Sequence, residues 1–292
     1  MNLGLVLSGG GVKGAAHIGV LKALQEENIK FNYLAGTSSG SIVASLYACG
    51  YNSDEIYDLF KKYCKEINYI DFKNLLKIFW NLILKRKLLV EGLNSGKKLE
   101  KIIKKACEEK NIENINQIDF NLIVPAVDLY NGSIYYFCSK KNKFNNRQIL
   151  DDEKYIYDVE LAKAVKSSCS YPGIFSPTKF KNTLLIDGGV RDNTPWKKLK
   201  EYGADKTLSI CFETTSSAEK IKTNLMDNVI RSIEIEMHEL TAYELEGADC
   251  ILKIKTEKIS LLDSSKIDYL YNLGYQETKR KIKEIKNTLN ID

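Results

Sequence analysis

The sequence is poor in the residues that bind metals and close disulfide bonds. It holds only two histidines, His17 and His238, among 292 residues, and no Cys-x-x-Cys pair. A zinc site usually combines several closely spaced cysteines and histidines, so we expect no metal site. The odd number of cysteines, seven, and their apolar surroundings predict reduced, buried thiols and a cytoplasmic protein. These cysteines are Cys49, Cys64, Cys107, Cys138, Cys169, Cys211 and Cys250.

Long apolar runs and charge of one sign are also missing. No stretch approaches a membrane span of about 18 uninterrupted apolar residues, and the first apolar run is too short for a signal peptide. Lys and Arg total 43 against 38 Asp and Glu, a balance that argues against a nucleic-acid partner. With 44% hydrophobic and 28% charged residues, the composition is that of a globular protein with a substantial core.

Two glycine turns dominate the first forty residues. The first follows an apolar run and reads Gly9-Gly10-Gly11-Val12-Lys13-Gly14. Such a loop presents several backbone N–H groups that can bind a negatively charged group. The second, Gly36-Thr37-Ser38-Ser39-Gly40, has the G-x-S-x-G form of a nucleophile elbow, with the serine on a tight strand-to-helix turn. A serine nucleophile and a loop that stabilises an anion are the least that an enzyme needs for acyl transfer.

The order of the predicted elements indicates an α/β fold. Strand Leu3–Ser8, helix Ala15–Glu27, strand Phe31–Ala35 and helix Ser41–Cys49 alternate as expected for a parallel sheet. We therefore predict a single α/β domain over residues 1–292, with a mostly parallel central sheet covered by helices. Further predicted strands are 121–128, 133–138, 183–186, 206–212 and 250–254, and further helices are 56–63, 94–109, 159–168, 229–245 and 266–289.

Four motifs, taken together and in this order, give the sequence a family resemblance. They are the loop Gly9–Gly14, the elbow Gly36–Gly40, the segment Ser168-Cys169-Ser170-Tyr171-Pro172-Gly173, and Asp187-Gly188-Gly189. The chain resembles the bacterial patatin-like phospholipases from about Leu3 to the final helix. One G-x-S-x-G alone would be a weak signal, whereas several spaced motifs in order are a strong one.

The resemblance implies a fold related to the α/β-hydrolases and a lipid acyl hydrolase that needs no cofactor. Its substrate would be a phospholipid or another fatty-acyl ester, and its activity phospholipase A-like or lysophospholipase. In this family pattern Ser38 attacks the ester and forms an acyl-enzyme, while Asp187 takes the serine proton directly. The N–H groups of Gly10 and Gly11, together with Gly9, form the oxyanion hole.

The histidines test the implied dyad independently, because a Ser-His-Asp triad needs a histidine that reaches Ser38. His17 lies on the helix opened by the glycine loop, where a structural role is expected. His238 follows Asp187 in the chain, as a hydrolase triad requires, so this alternative stays open. Its charged neighbours favour a solvated helix face. For the dyad, an aspartate of ordinary pKa, about 3.9, is a poor base, and burial would have to raise that pKa.

Lys13 occupies a basic position within the glycine loop. A cation there can meet the phosphate of a lipid substrate. The alternative is a solvated loop lysine without a function.

The glycine loop also permits a nucleotide-binding alternative. Gly9, Gly11 and Gly14 spell G-x-G-x-x-G after a strand and before a helix. A dinucleotide site also needs an acidic residue about 20 residues further on, at the end of the second strand. That strand runs through Phe31-Asn32-Tyr33-Leu34-Ala35-Gly36 and has no acid, so a catalytically weak lipid- or nucleotide-binding protein is the less favoured interpretation.

A predominantly apolar segment, residues 68–93, is a candidate lid or interfacial element. Within it, Leu75–Leu84 has helical character with a narrow polar stripe and is followed by Lys85-Arg86-Lys87. One interpretation is a core helix. The other is a peripheral membrane contact in which Phe79 and Trp80 enter lipid and the basic residues face anionic headgroups.

Overall fold

The first strand, β1 (Leu3–Leu7), is buried along its whole length, as expected of a central strand with both faces covered. The structure is a computed structural model, and it describes residues 1–66, 92–140, 151–214 and 225–291. Most of the candidate lid segment, including Phe79 and Trp80, lies outside the described residues.

The described strands form one mostly parallel sheet, which confirms the predicted fold class. The strands after β1 are β2 (Tyr33–Gly36), β3 (Asn121–Asp128), β4 (Ile134–Cys138), β5 (Glu153–Ile156), β6 (Thr178–Phe180), β7 (Thr183–Asp187), β8 (Lys206–Thr214) and β9 (Cys250–Thr256). Their order in the sheet is β5-β4-β3-β2-β1-β8-β9, and β7 pairs with both β3 and β6. The pairs that include β1, β2, β8 or β9 are parallel, whereas β3 pairs antiparallel with β4 and β7.

One edge of β3 is shared by two strands that meet end to end. The first half of β3 pairs with β2, where Ala35 lies opposite Ile123. Its second half pairs with β7, where Asp187 lies opposite Ala126. Because β2 runs parallel to β3 and β7 runs antiparallel, their carboxyl ends face each other. This junction brings Asp187 close to Ser38, which follows β2 by two residues.

Helices cover both faces of the sheet. Along β1, Leu5 and Leu7 belong to the larger of two apolar clusters, whereas Val6 belongs to the smaller one with Leu199 and Tyr202. The alternation follows from the two-residue period of a strand. The described helices are α1 (Gly14–Glu26), α2 (Ser39–Ala48), α3 (Ser53–Glu66), α4 (Lys97–Glu109), α5 (Leu161–Ser168), α6 (Trp196–Tyr202), α7 (Leu225–Glu244) and α8 (Ile267–Leu289). None of them combines the length and the apolar character needed to cross a bilayer.

Helices α1 and α8 cross at a distance that only glycine permits. A Cβ atom on Gly19 would lie 2.0 Å from the carbonyl oxygen of Tyr271, and one on Gly274 would lie 2.0 Å from that of Ala16. Since α1 begins directly after the glycine loop, this crossing holds the helix that the loop opens.

All seven cysteines are buried free thiols, as predicted. The helix predicted from Asn94 begins three residues later, at Lys97. Asn94 instead donates its N–H to the carbonyl of Ile174 at 2.8 Å and accepts the N–H of Gly96 at 2.8 Å, so it is bound outside the helix.

Candidate active site

Ser38 sits on a strained turn between β2 and α2. Its φ of 51° and ψ of −123° form a combination that residues other than glycine rarely adopt. The turn packs against β1 through glycines, because a Cβ atom on Gly40 would lie 2.1 Å from the carbonyl oxygen of Leu7. The N–H of Ser38 donates to Ser168 Oγ at 3.0 Å, which fixes the backbone of the elbow. The G-x-S-x-G segment therefore has the geometry that its sequence predicts.

Asp187 is fully buried at the end of β7. Its Oδ1 atom accepts the N–H of Gly189 at 2.8 Å, while Oδ2 has no standard hydrogen-bond partner among the described residues. Burial raises the pKa of Asp187 to about 7, and the nearby Ser38 hydroxyl and the Gly189 N–H partly oppose this rise. The Ser38 hydroxyl is thus close enough to favour the carboxylate, yet it forms no well-aligned, standard-length hydrogen bond with Oδ2.

The glycine loop presents two unoccupied N–H groups. No described residue accepts a hydrogen bond from the N–H of Gly10 or Gly11. The N–H of Gly9, in contrast, donates to Asn193 Oδ1 at 2.8 Å. The predicted oxyanion role of Gly9 therefore needs correction, because its N–H is already bound, whereas Gly10 and Gly11 can still donate.

Asn193 is a site residue that the sequence analysis missed. Its Nδ2 donates to Thr241 Oγ1 at 2.9 Å, and its backbone N–H donates to Glu244 Oε1 at 3.0 Å. Asn193 follows Asp187-Gly188-Gly189 within the same turn, so its position next to this motif was an available signal. Thr241 and Glu244 lie on α7, and no sequence pattern marks them.

A cavity of about 530 Å³ opens beside Ser38 and the glycine loop. Its wall has an apolar part and a charged part. Apolar side chains come mainly from α2, α3 and the segment before β6, and they include Ile42, Phe60, Tyr63, Ile174 and Phe175. Charged side chains come mainly from α7 and from the region of β9, and they include Arg231, Glu234, Glu239, Lys253 and Lys258. The cavity can therefore hold an apolar chain at one side and a polar group at the other.

Lys13 lines this cavity from the glycine loop. It is only 9% exposed, and burial lowers the pKa of its ammonium group. The solvated alternative for Lys13 is therefore wrong, because the side chain is enclosed by protein.

Neither histidine completes a triad with the described atoms. His17 is fully buried, its Nε2 donates to the carbonyl of Ser8 at 2.8 Å, and burial lowers its pKa to about 4. It supports the strand end before the glycine loop, as predicted. His238 lines the cavity with a half-exposed side chain, and its Nδ1 lies 3.8 Å from Glu239 Oε1. No described hydrogen bond joins it to Ser38 or Asp187.

The elbow occupies the place where a dinucleotide site would need its acid. A Cβ atom on Gly9 would lie only 3.1 Å from Ser38 Cβ, so the glycine loop and the elbow are in direct contact. β2 ends at Gly36 without an acidic residue. This arrangement favours acyl transfer over the nucleotide-binding alternative.

The fold and the elbow define the class of the protein, which is an α/β protein with a serine on a strand-to-helix turn. The family of patatin-like phospholipases matches residues 5–200. The chain belongs to this family.

Relatives of the chain occur in yeasts and in bacteria. Lysophospholipase NTE1 of Meyerozyma guilliermondii is 27% identical over 298 residues, which cover 94% of this chain and 19% of the relative. The chain thus spans less than a fifth of that relative's length. YqhO of Bacillus subtilis, an uncharacterized protein, is 33% identical over 215 residues, which cover 67% of this chain and 66% of YqhO.

Solved structures share the fold at low sequence identity. VipD from Legionella pneumophila has a TM-score of 0.54 and 16% identity, over 97% of this chain and 67% of VipD. The ExoU–SpcU complex of Pseudomonas aeruginosa contains a chain with a TM-score of 0.51 and 18% identity, over 97% of this chain and 52% of that chain. At such identities the likeness concerns the fold alone.

Proposed function

We propose that this protein is a lipid acyl hydrolase that works through a Ser38–Asp187 dyad. The observation that carries the proposal is the end-to-end junction of β2 and β7 on β3. It brings a buried carboxyl group with a pKa of about 7 next to a serine on a strained elbow. Membership of the patatin-like phospholipase family supports the same chemistry.

In the proposed reaction the carboxylate of Asp187 takes the proton of the Ser38 hydroxyl while Oγ attacks the ester carbonyl carbon. A base with a pKa near the working pH suits this transfer. The N–H groups of Gly10 and Gly11 stabilise the resulting oxyanion, and each such donor is typically worth about 3 kcal/mol in the transition state. The leaving alcohol takes the proton from Asp187. Water then cleaves the acyl-enzyme by the same steps and restores Ser38.

The two-sided cavity suggests the substrate class. The apolar wall from α2 and α3 would hold the fatty-acyl chain, and Lys13 would meet the phosphate of a phospholipid or lysophospholipid. The name of the yeast relative, a lysophospholipase, agrees with this class. We further propose one domain over residues 1–292. Residues 68–93, most of which lie outside the described residues, stay predicted as a core helix, a lid or a membrane contact through Phe79 and Trp80.

A fluorophosphonate probe tests the nucleophile. We expect the wild-type protein to hydrolyse p-nitrophenyl butyrate and to carry the label on Ser38, as found by mass spectrometry of the labelled peptide. Ser38→Ala should lose both the label and the activity. Ser45→Ala is the matched control, since Ser45 is buried in α2, the helix that follows Ser38, and its Oγ bonds no described residue. A label on another residue would contradict Ser38 as the nucleophile. No label on a folded wild-type protein would contradict the proposal and favour a binding protein.

Replacing His238 with alanine separates the dyad from a histidine triad. Since no described hydrogen bond joins His238 to Ser38 or Asp187, we expect kcat for p-nitrophenyl butyrate to stay within about twofold of the wild type. Removing the histidine of a true triad would instead lower kcat by at least about a thousandfold. A loss of that size in a folded His238→Ala protein would restore the triad alternative.

A further inference from the structure

Helix α7 lines part of the cavity but buries few of its side chains. Most of its described residues are exposed or half-buried, and Thr241 is the one within Asn228–Glu244 that is buried, at 8% exposure. Where α7 faces inward, it contacts the turn after β7. Thr241 and Glu244 bind Asn193, and a Cβ atom on Gly189 would lie 2.5 Å from the Met237 methyl group.

The hydrogen bonds around Asn193 fix the direction of its amide. Thr241 Oγ1 donates its proton to the carbonyl of Met237 at 2.7 Å, so toward Asn193 the hydroxyl can only accept. The Asn193 group facing Thr241 at 2.9 Å must therefore be the NH₂ group. The opposite end, Oδ1, then faces Gly9 and accepts its N–H at 2.8 Å. A flipped amide would lose both bonds at once.

Glu244 fixes the backbone that carries this amide. Its Oε1 accepts the N–H of Asn193 at 3.0 Å, and its Oε2 accepts the N–H of Thr194 at 2.8 Å and the Thr194 hydroxyl at 2.7 Å. One carboxylate of α7 therefore holds two successive residues of the turn after β7. The position of Asn193 is set by α7 and by the same turn that carries Asp187.

Gly9 needs such an external hold. A run of three glycines has a wide choice of backbone conformations, so hydrogen bonds to neighbouring segments help to set the direction of the N–H groups of Gly10 and Gly11. The bond from Asn193 to Gly9 anchors the loop one residue before Gly10. It does so next to Ser38, whose Cβ would lie 3.1 Å from a Cβ on Gly9.

We propose that Asn193 is a positioning residue for the oxyanion hole, and that Thr241 sets its amide from α7. This inference rests on the proposed hydrolase function. Asn193 acts through Gly9, and it aims the N–H groups of Gly10 and Gly11 at the carbonyl oxygen of the ester. The oxyanion hole is complete only when α7 is seated on the turn after β7, so α7 is coupled to the chemical step.

The test compares Thr241→Val with Thr241→Ser. Valine has nearly the shape of threonine but cannot accept the Asn193 proton, whereas serine keeps the hydroxyl. Because an oxyanion hole acts mainly in the transition state, we expect Thr241→Val to lower kcat for p-nitrophenyl butyrate about tenfold with KM nearly unchanged. Thr241→Ser should restore kcat to within about twofold of the wild type.

Thr278→Val is the matched control. Thr278 is fully buried in α8, and its hydroxyl donates to the carbonyl of Gly274 at 2.8 Å, the same helical bond that Thr241 makes. Its loss should change the melting temperature but not kcat. If Thr241→Val does not fold, Asn193→Ala replaces it, with an expected loss of kcat of about tenfold or more.

Three results would overturn the inference. They are a wild-type kcat in a folded Thr241→Val or Asn193→Ala protein, an equal loss in Thr278→Val, and a rise in KM with kcat unchanged. A wild-type protein without hydrolysis or label on Ser38 would instead overturn the proposed function itself, so the two failures can be told apart.

Discussion

Replacing Asp187 with asparagine will abolish ester hydrolysis and will stabilise the folded protein above about pH 7. Asparagine has the same shape and can still accept the N–H of Gly189, but it cannot take the proton of Ser38. The loss of a general base typically lowers kcat by about 10²- to 10⁴-fold. Activity and stability should therefore move in opposite directions at this one residue.

The stability gain follows from the pKa of Asp187. The folded chain keeps the proton up to about pH 7, whereas the unfolded chain releases it near the ordinary value of 3.8. Between these values the unfolded state binds fewer protons, so the free energy of unfolding falls as the pH rises. The rise from 3.8 to about 7 is worth about 4 kcal/mol, since each pKa unit corresponds to about 1.4 kcal/mol. Asparagine carries no charge, so the free energy of unfolding of Asp187→Asn does not fall in this way.

Urea denaturation of both proteins between pH 4 and pH 8 measures the effect. The stability difference should grow in favour of Asp187→Asn up to about pH 7 and then level off. In the wild type, kcat/KM should rise through the same pH range, because the base must lose its proton. Asp128→Asn is the control, since Asp128 is buried on β3 but its carboxylate binds Thr183 and Tyr130. Parallel stability curves, or full activity in Asp187→Asn, would exclude Asp187 as a buried base.

Adding one methyl group at Gly274 will strongly destabilise the protein. Alanine favours a helix over glycine by about 1 kcal/mol, so propensity alone predicts a gain. The new Cβ would, however, lie 2.0 Å from the backbone carbonyl of Ala16, which cannot move without moving α1. Overpacking of this kind typically costs 1–3 kcal/mol and sometimes more, and we expect about 3 kcal/mol here.

Thermal unfolding of Gly274→Ala beside Asn272→Ala measures this cost. Asn272 is exposed in the same helix, so alanine there should be neutral or slightly stabilising. We expect Gly274→Ala also to lower kcat, since α1 begins at the end of the glycine loop. An unchanged melting temperature in Gly274→Ala would mean that the two helices are not in close contact in solution.

The motif-bearing parts of the site could be predicted from the sequence because their chemistry is local. Ser38 lies between glycines whose spacing indicates a tight turn, and Asp187 ends a short strand before two glycines. What the sequence did not provide was the environment of each group. The burial of Lys13 and the bond between Gly9 and Asn193 both depend on chain segments that are remote in sequence.

The missed elements are short and depend on tertiary contacts. β5, Glu153–Ile156, is half-buried throughout and lacks the alternation that marks a strand, so its pairing with β4 defines it. Helix α6 has only seven residues, too few for a periodic pattern to stand out. It is held by the burial of Trp196, Leu199 and Tyr202 against the sheet.

The shared edge of β3 has a consequence for biosynthesis. The elbow can form once β1 and β2 have paired, but the carboxyl group arrives only when β7 has been made and has docked antiparallel beyond the end of β2. Contacts between remote segments form late, because a long loop must first be closed. By the proposed dyad mechanism, a nascent or partly unfolded chain would thus carry an inert serine, and reactivity toward lipid would appear only once β7 has docked.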